Sequence, residues 1–428
     1  MRLSRLRMWP PLPPDVYLRR PTRNPPYPLA APGFLLLRKA RQALFFGIQG
    51  LQLGPGDEVL LPAYHHGSEV EAFRRTGVSC RFYDVDPMLR PQAAVLDDLI
   101  GPRTRALYLT HYLGFPQDAP GWLGWCRKRN LLLIEDVAQS WLASVGGRPL
   151  GSFGDLAIFS FYKATGVPEG GALRATRPVD VAVDGRSAGT VRILRRLANR
   201  HQAWLTSRSS LADSLLAGST HRWRSSAWTF QLGKVHALPS RVIPYLLPRL
   251  LEPDPAERRR RNYRVLLGEL AGQVPAALSV LPDGASPYFF PVQTDDKPGL
   301  LGLLDEHQID AVDFWRIAHP SLPRGAFPVT EELRASIVGI PVHQELRGRD
   351  LERITGVVRR WGGRAQPRRP GAAPTASRPD IEPVLGDGCC PFAAGETHLK
   401  VSGPVEGGRQ AGDQGLWEPG DAAARSDR

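Results

Sequence analysis

Residues 131–173, LLLIEDVAQSWLASVGGRPLGSFGDLAIFSFYKATGVPEGGAL, decide how the rest of the chain reads. An apolar run over 131–134 ends in Glu135 and Asp136. A second, over 156–161, ends in Tyr162 and Lys163. Short apolar runs bounded by charge and glycine-rich turns read as buried strands. In an open α/β sheet, ligands bind beyond the carboxyl ends of the strands. A carboxylate and an amine are therefore expected to face one pocket from two strand ends. A lysine there can form a Schiff base with a carbonyl cofactor, and an aspartate can hold a pyridinium nitrogen protonated. Pyridoxal 5'-phosphate (PLP) chemistry needs that pairing.

Four pieces of this stretch occur in a fixed order: Glu135-Asp136-Val137-Ala138-Gln139, Gly151-Ser152-Phe153-Gly154-Asp155, Phe159-Ser160-Phe161-Tyr162-Lys163 and Glu169-Gly170-Gly171-Ala172. Together they resemble the DegT/StrS family of PLP-dependent sugar aminotransferases. The resemblance extends to RQAL and LGPGDEVLLPAY upstream, and to RRRRNYR and IPVHQ downstream, covering roughly residues 38–361 with a weak middle. It implies a fold-type I α/β enzyme. The large domain would hold a mostly parallel sheet of the seven-stranded type flanked by helices, with a smaller C-terminal α+β domain behind it. The expected boundaries are an arm over 1–32, a large domain over 33–245, a small domain over 246–362 and a disordered tail over 363–428. Composition supports the ends of this scheme. Proline-rich PPLPP and NPPYP bar regular structure in the arm. Beyond residue 363, Gly, Ala, Pro, Arg and Asp dominate and apolar periodicity is lost.

The resemblance also assigns roles. Lys163 would bind the cofactor and act as general base and acid. It is the one lysine of six placed at such a strand end, the others being Lys39, Lys128, Lys234, Lys297 and Lys400. Asp136 would pair with the pyridinium N–H; the competing reading is an ion pair to a core arginine. Gln139 would donate to the cofactor's phenolic oxygen. His66 would stack on the ring, with Tyr64 as the fallback at the same side of an extended chain. Ala40 and Arg41, at the start of a helix predicted over 38–53, would hold the phosphate along with Ser160. The usual hydroxyl is absent there, and Arg41 stands in its place. Many family members set the lysine five positions after the strand's serine. Here Lys163 follows Ser160 by three, a change of two that preserves facing on an extended chain.

Other residues take quieter readings. His111 is expected to be structural, Asp84-Val85-Asp86 a strand-end turn rather than a metal site, and His343 either a substrate contact or a turn cap. Arg258 to Arg261 occupy different helical faces and are expected to be solvated. The chain of 428 residues carries a formal charge of +13. An anionic partner would explain it, but Arg-rich codon bias explains it better, because no helix shows a continuous basic stripe. Four cysteines without zinc-type spacing fit a reducing compartment. No run is long enough to span a bilayer. The expected protein is cytoplasmic and homodimeric, without metal, nucleic acid or membrane partners. Its substrates would be an amino donor, glutamate or glutamine, and a keto-sugar nucleotide, serving amino-sugar and polysaccharide synthesis. The rivals are a same-fold dehydratase, whose relatives carry His where Lys163 stands, a non-catalytic regulator, and a nucleic-acid-binding protein.

Overall fold

The computed structural model describes residues 4–183, 190–209, 212, 215–216, 230–233, 235–251, 254–362 and 397–400. Its core is a seven-stranded sheet. The strands are β1 (Phe34–Leu37), β2 (Glu58–Pro62), β3 (Ser79–Tyr83), β4 (Thr104–Thr110), β5 (Leu132–Val137), β6 (Leu156–Ser160) and β7 (Gly171–Ala175), in spatial order β1-β7-β6-β5-β4-β2-β3. Only β7 runs antiparallel to its neighbours; the remaining pairings are parallel. Strands β2, β5 and β6 are buried almost throughout, as expected of a sheet covered by helices on both faces.

At the start of helix α1 (Ala40–Gly50) the Lys39 N–H donates to Gln42 Oε1 and the Gln42 N–H donates to the Lys39 carbonyl, both at 3.0 Å. The helix buries Ala43, Leu44, Gly47 and Ile48 against the sheet. Helices α2 (Ser68–Arg75), α3 (Ala93–Leu99) and α4 (Ala119–Lys128) complete the parallel crossovers.

Two strand ends differ from the sequence expectation, and both differences bear on the site. Strand β5 runs on through Glu135 and Asp136 to Val137. The carboxylates are tolerated inside a strand because each has partners. Glu135 accepts backbone N–H bonds from Gly151 (2.9 Å), Phe153 (2.9 Å) and Gly154 (2.6 Å), and it meets His111 Nε2 at 3.2 Å. The G-S-F-G-D turn is thus folded around Glu135. Strand β6, in contrast, stops at Ser160, and the chain enters a single helical turn, α5 (Phe161–Ala164), closed by Thr165 N–H to the Phe161 carbonyl at 2.9 Å. Lys163 therefore stands on a helical turn and not on an extended strand, so the facing rule for strands does not govern its spacing. Ser160, the last strand residue, and Lys163, on the turn, nevertheless line the same cavity despite the short step between them.

After helix α6 (Thr190–Arg208), α7 (Pro255–Leu270), α8 (Lys297–Glu306), α9 (Pro328–Ser336) and α10 (Gly348–Gly362) accompany a second, three-stranded antiparallel sheet. Its strands are β8 (Phe290–Gln293), β9 (Val312–Asp313) and β10 (Ile337–Ile340), in order β8-β10-β9. Strand β9 is only two residues long. Asp84 caps α9, accepting from Val329 N–H (2.9 Å) and from Thr330 N–H and Oγ1–H (3.1 and 2.7 Å). Its role at the strand end is to tie the seven-stranded sheet to the start of α9.

The proline-rich arm lies on its own chain. Leu6 bridges to Ile309, and Leu12 and Val16 are fully buried beside Phe159 and Phe161. The sequence expectation for 363–428 falls largely outside the described residues; Thr397–Lys400 pairs antiparallel with Asp180–Val183.

Candidate active site

The register of the sheet brings the sequence candidates together. Asp136 lies opposite Thr110 on β4 and Ile158 on β6, and Ser160 lies opposite Gly171. A cavity of about 150 Å³ opens above these strand ends, lined by Ala40, Arg41, His66, Asp136, Gln139, Ser160 and Lys163. Tyr64 does not line it; that ring is buried in the core, 4.9 Å edge-on from Trp315.

Asp136 is 5% exposed. Its Oδ2 accepts from the Tyr108 hydroxyl at 2.8 Å and its Oδ1 from Ala138 N–H at 2.9 Å. No arginine among the described residues pairs with it, so the ion-pair reading is not realised. Burial, then the Asp136 charge, pushes the Tyr108 phenol well above its ordinary pKa and keeps it a neutral donor. Gln139 Oε1 accepts the Leu113 N–H at 3.1 Å, which leaves its Nε2 as the donor. His66 is held by Ser68 Oγ at 3.2 Å from Nδ1 and by the edge of Phe230 at 5.8 Å. Burial, with help from Arg41 and Lys163, lowers its pKa to about 3, so the ring is neutral. The Lys163 Nζ lies 5.3 Å from the Tyr288 ring centroid and makes no ion pair with a described residue.

The Glu169-Gly170-Gly171 turn positions the helix start. Glu169 forms a buried pair with Arg38 at 3.0 Å and accepts Ser240 N–H at 3.0 Å. A Cβ on Gly171 would stand 2.0 Å from the Lys39 carbonyl carbon and 2.2 Å from the Ala40 nitrogen. Only glycine lets α1 begin this close to β7. Ala40, Arg41 and the cap residue Lys39 consequently reach the cavity. Burial, then the charges of Arg41 and Arg38, lowers the Lys39 pKa to about 8.

These residues fit PLP. A buried carboxylate free of basic side chains suits a pyridinium N–H, a neutral flat ring suits a stacking face, and a cationic helix start suits a phosphate. Among the described residues there is no cluster of metal-ligating side chains, and no helix is long and apolar enough to cross a membrane.

The sequence reading missed several groups. Trp9 of the arm lines the cavity and stacks on Tyr288, ring centroids 5.3 Å apart at 29°. Phe289, Phe314 and Trp315 extend that wall. Glu69 also lines it, accepting Gly67 N–H at 2.9 Å, and burial together with Asp136 raises its pKa. His111 is structural as expected, 0% exposed between Glu135 and the Gln117 N–H. His343 does not reach the cavity; it binds the Arg7 carbonyl at 2.9 Å and so anchors the arm. Arg259 is buried at 2% exposure, contrary to the solvated reading of the arginine run, because backbone carbonyls surround its guanidinium. Arg258 and Arg261 are exposed.

Comparison with known proteins agrees with this geometry. Residues 37–215 match the DegT/DnrJ/EryC1/StrS aminotransferase family. The chain is 28% identical over 332 residues to a UDP-N-acetyl-3-dehydro-alpha-D-glucosamine 3-aminotransferase of Acidithiobacillus ferrooxidans, covering 74% of this chain and 81% of that one. It is 26% identical over 339 residues to a dTDP-3-amino-3,4,6-trideoxy-alpha-D-glucose transaminase of Streptomyces venezuelae, covering 75% and 81%. In fold it is similar to the sugar aminotransferase CalS13 of Micromonospora echinospora, with a TM-score of 0.58, 21% identity, and coverage of 83% of this chain and 99% of that one. The cavity, the motifs that build it and these relatives all liken the chain to the DegT/DnrJ/EryC1/StrS aminotransferase family, whose model matches residues 37–215.

Proposed function

We propose that this protein is a PLP-dependent aminotransferase that transfers an amino group, from glutamate or glutamine, to the keto carbon of a nucleotide-linked sugar. The observation that carries the reading is the convergence of Lys163, Asp136 and His66 on one cavity. PLP, when bound, supplies an electron sink for proton removal beside the amine nitrogen. The rest falls to the chain. Asp136, fixed by Tyr108 and Ala138, holds negative charge where a pyridinium N–H would sit. Lys163 takes the proton from the donor's carbon and returns it on the acceptor side. Gln139 would donate to the phenolic oxygen. Lys39, Ala40, Arg41 and Ser160 would bind the phosphate, and neutral His66 would cover one ring face. The wall of Trp9, Tyr288, Phe314 and Trp315 excludes water.

Relatives that by name act on UDP- and dTDP-linked sugars support a nucleotide sugar as acceptor, and a net charge of +13 suits a diphosphate. We read the enzyme as a cytoplasmic homodimer serving polysaccharide or glycosylated natural product synthesis. The test supplies PLP, ¹⁵N-labelled glutamate or glutamine, and a panel of UDP- and dTDP-linked keto sugars. Transfer of ¹⁵N into one sugar supports the proposal. Keto-acid release without labelling of any sugar would remove the nucleotide-sugar assignment, and the absence of both would remove aminotransfer.

A further inference from the structure

Two motifs lie outside the chemistry above: the arginine run on α7 and the I-P-V-H-Q segment after β10. The structure joins them at one place. The Arg259 Nε donates to Gln344 Oε1 at 2.9 Å, and its Nη1 donates to the Pro287 carbonyl at 3.2 Å. Its Nη2 donates to the carbonyls of Lys163 and Ala164 at 3.3 and 2.7 Å. Gln344 Nε2 donates to the same Ala164 carbonyl at 3.1 Å. Asn262, one helical turn from Arg259, donates to the carbonyls of Val342 and His343 at 3.3 and 2.9 Å, fixing the backbone that carries Gln344.

A buried guanidinium without a carboxylate is costly. No acidic side chain among the described residues bonds Arg259, and burial lowers its pKa only to about 10, so it stays charged at neutral pH. Volume alone could be filled by an apolar side chain at lower cost. What an apolar side chain lacks is a rigid fork of donors. Here the fork meets the open carbonyls at the end of α5, which a helical turn of four residues cannot satisfy internally. It also meets Pro287, next to Tyr288, whose ring lies 5.3 Å from the Lys163 Nζ.

We infer that Arg259 and Gln344 form a positioning pair that locks the small domain onto the helical turn bearing Lys163, setting the place of the reactive amine relative to Tyr288. Neither residue touches substrate. The inference rests on the proposed role of Lys163, but its first readout needs no cofactor.

The experiment compares full-length wild type with Arg259→Lys, Gln344→Leu and, as a control on an exposed position of the same helix, Arg261→Ala. Hydrogen exchange of the cofactor-free protein reports on the peptide spanning 161–165. The visible circular dichroism of the PLP-loaded protein and a split of kcat from KM for glutamate follow, with thermal unfolding as the check on folding. Lysine keeps the charge but loses the fork, so Arg259→Lys should not rescue. We expect exchange in 161–165 to rise on the order of tenfold in both pair variants, the visible dichroism to shrink, and kcat to fall about ten- to a hundredfold with KM little changed, since small misplacements cost that much. Arg261→Ala should match wild type. Wild-type exchange and kcat in both Arg259→Lys and Gln344→Leu, even with lower melting temperatures, would overturn the inference and leave the pair as ordinary domain packing. If wild type binds no PLP, the proposed function fails, while the exchange result still decides whether the pair holds the turn.

Discussion

The two walls of the cavity are built in different ways. The polar wall comes from strand ends and one helix start of the large domain: Lys39, Ala40, Arg41, His66, Asp136, Gln139, Ser160 and Lys163. The aromatic wall comes from the arm and the small domain: Trp9, Tyr288, Phe289, Phe314 and Trp315. On the first, the catalytic positions are set by strand ends and turns close in sequence or in register, although the Lys163 turn, His66 and Arg41 also take support from Arg259, Phe230 and the Gln231 carbonyl. On the second, residues far apart in the chain meet only because the domains and the arm close on each other. Chemistry is therefore concentrated in local motifs, and shape in long-range packing.

If that contrast holds, polar-wall changes should abolish chemistry in a folded protein. Asp136→Asn keeps the shape and removes the charge. Its transamination rate should fall by about 10²–10³-fold, as when a preorganised electrostatic partner is lost. This can be read as the rate at which glutamate bleaches the PLP band; a loss below tenfold would break the contrast. The polar wall also has a scaffold. Glu169→Ala strands Arg38, whose side chain is 8% exposed. Breaking a buried pair costs about 3–5 kcal/mol, measurable by urea unfolding. Arg74→Ala is the comparison: it removes the exposed partner of Glu71 and leaves the Glu71–His319 contact in place, with an expected cost below about 1 kcal/mol.

On the aromatic wall, Trp9→Ala should leave bleaching by glutamate nearly intact. The variant loses two aromatic pairs, with Tyr288 and Tyr162, each worth about 0.5–1.5 kcal/mol. The expected sign is a rise of a few fold in the rate at which phenylhydrazine attacks the bound cofactor, because the wall admits solvent. An unchanged attack rate would mean the arm does not shield the site.

The smallest effect concerns pH. Lys39 has its folded pKa lowered from 10.5 to about 8, by burial first. Its charge is present below pH 8 and fades above it. PLP affinity of the cofactor-free protein should hold from pH 6.5 to 7.5 and weaken about two- to fivefold through pH 9, the scale of a charge at a helix terminus. Lys39→Met should flatten that slope. For stability the sign is opposite: the unfolded chain binds the extra proton between about pH 8 and 10.5, so this residue's destabilising contribution is relieved across that window.

The same contrast explains what the sequence made legible. Glu135-Asp136 and the strand-helix alternation could be read because buried parallel strands leave short apolar runs and fixed turns. The turn at Phe161–Ala164 could not, because an apolar run in the period of a strand gave no sign of a helical turn held by carbonyl contacts from α7. Arg259 looked solvated for a related reason: an arginine run seldom announces that one member has backbone oxygens for partners. Nothing in PPLPP indicated that Trp9, just before it, would face Lys163's cavity, since that depends on Leu6 pairing beside Ile309 and on His343 holding Arg7.

Among the described residues two lysines line the cavity, Lys163 and Lys39, and only one can be the reactive amine. The most direct test adds PLP to the full-length protein and to Lys163→Ala, records the visible spectrum, reduces with borohydride and maps the modified peptide. The result expected is a visible band in wild type alone, with the pyridoxyl group fixed on Lys163. A band that persists in Lys163→Ala, a label on Lys39, or no band in either protein would contradict the assignment on which the site rests.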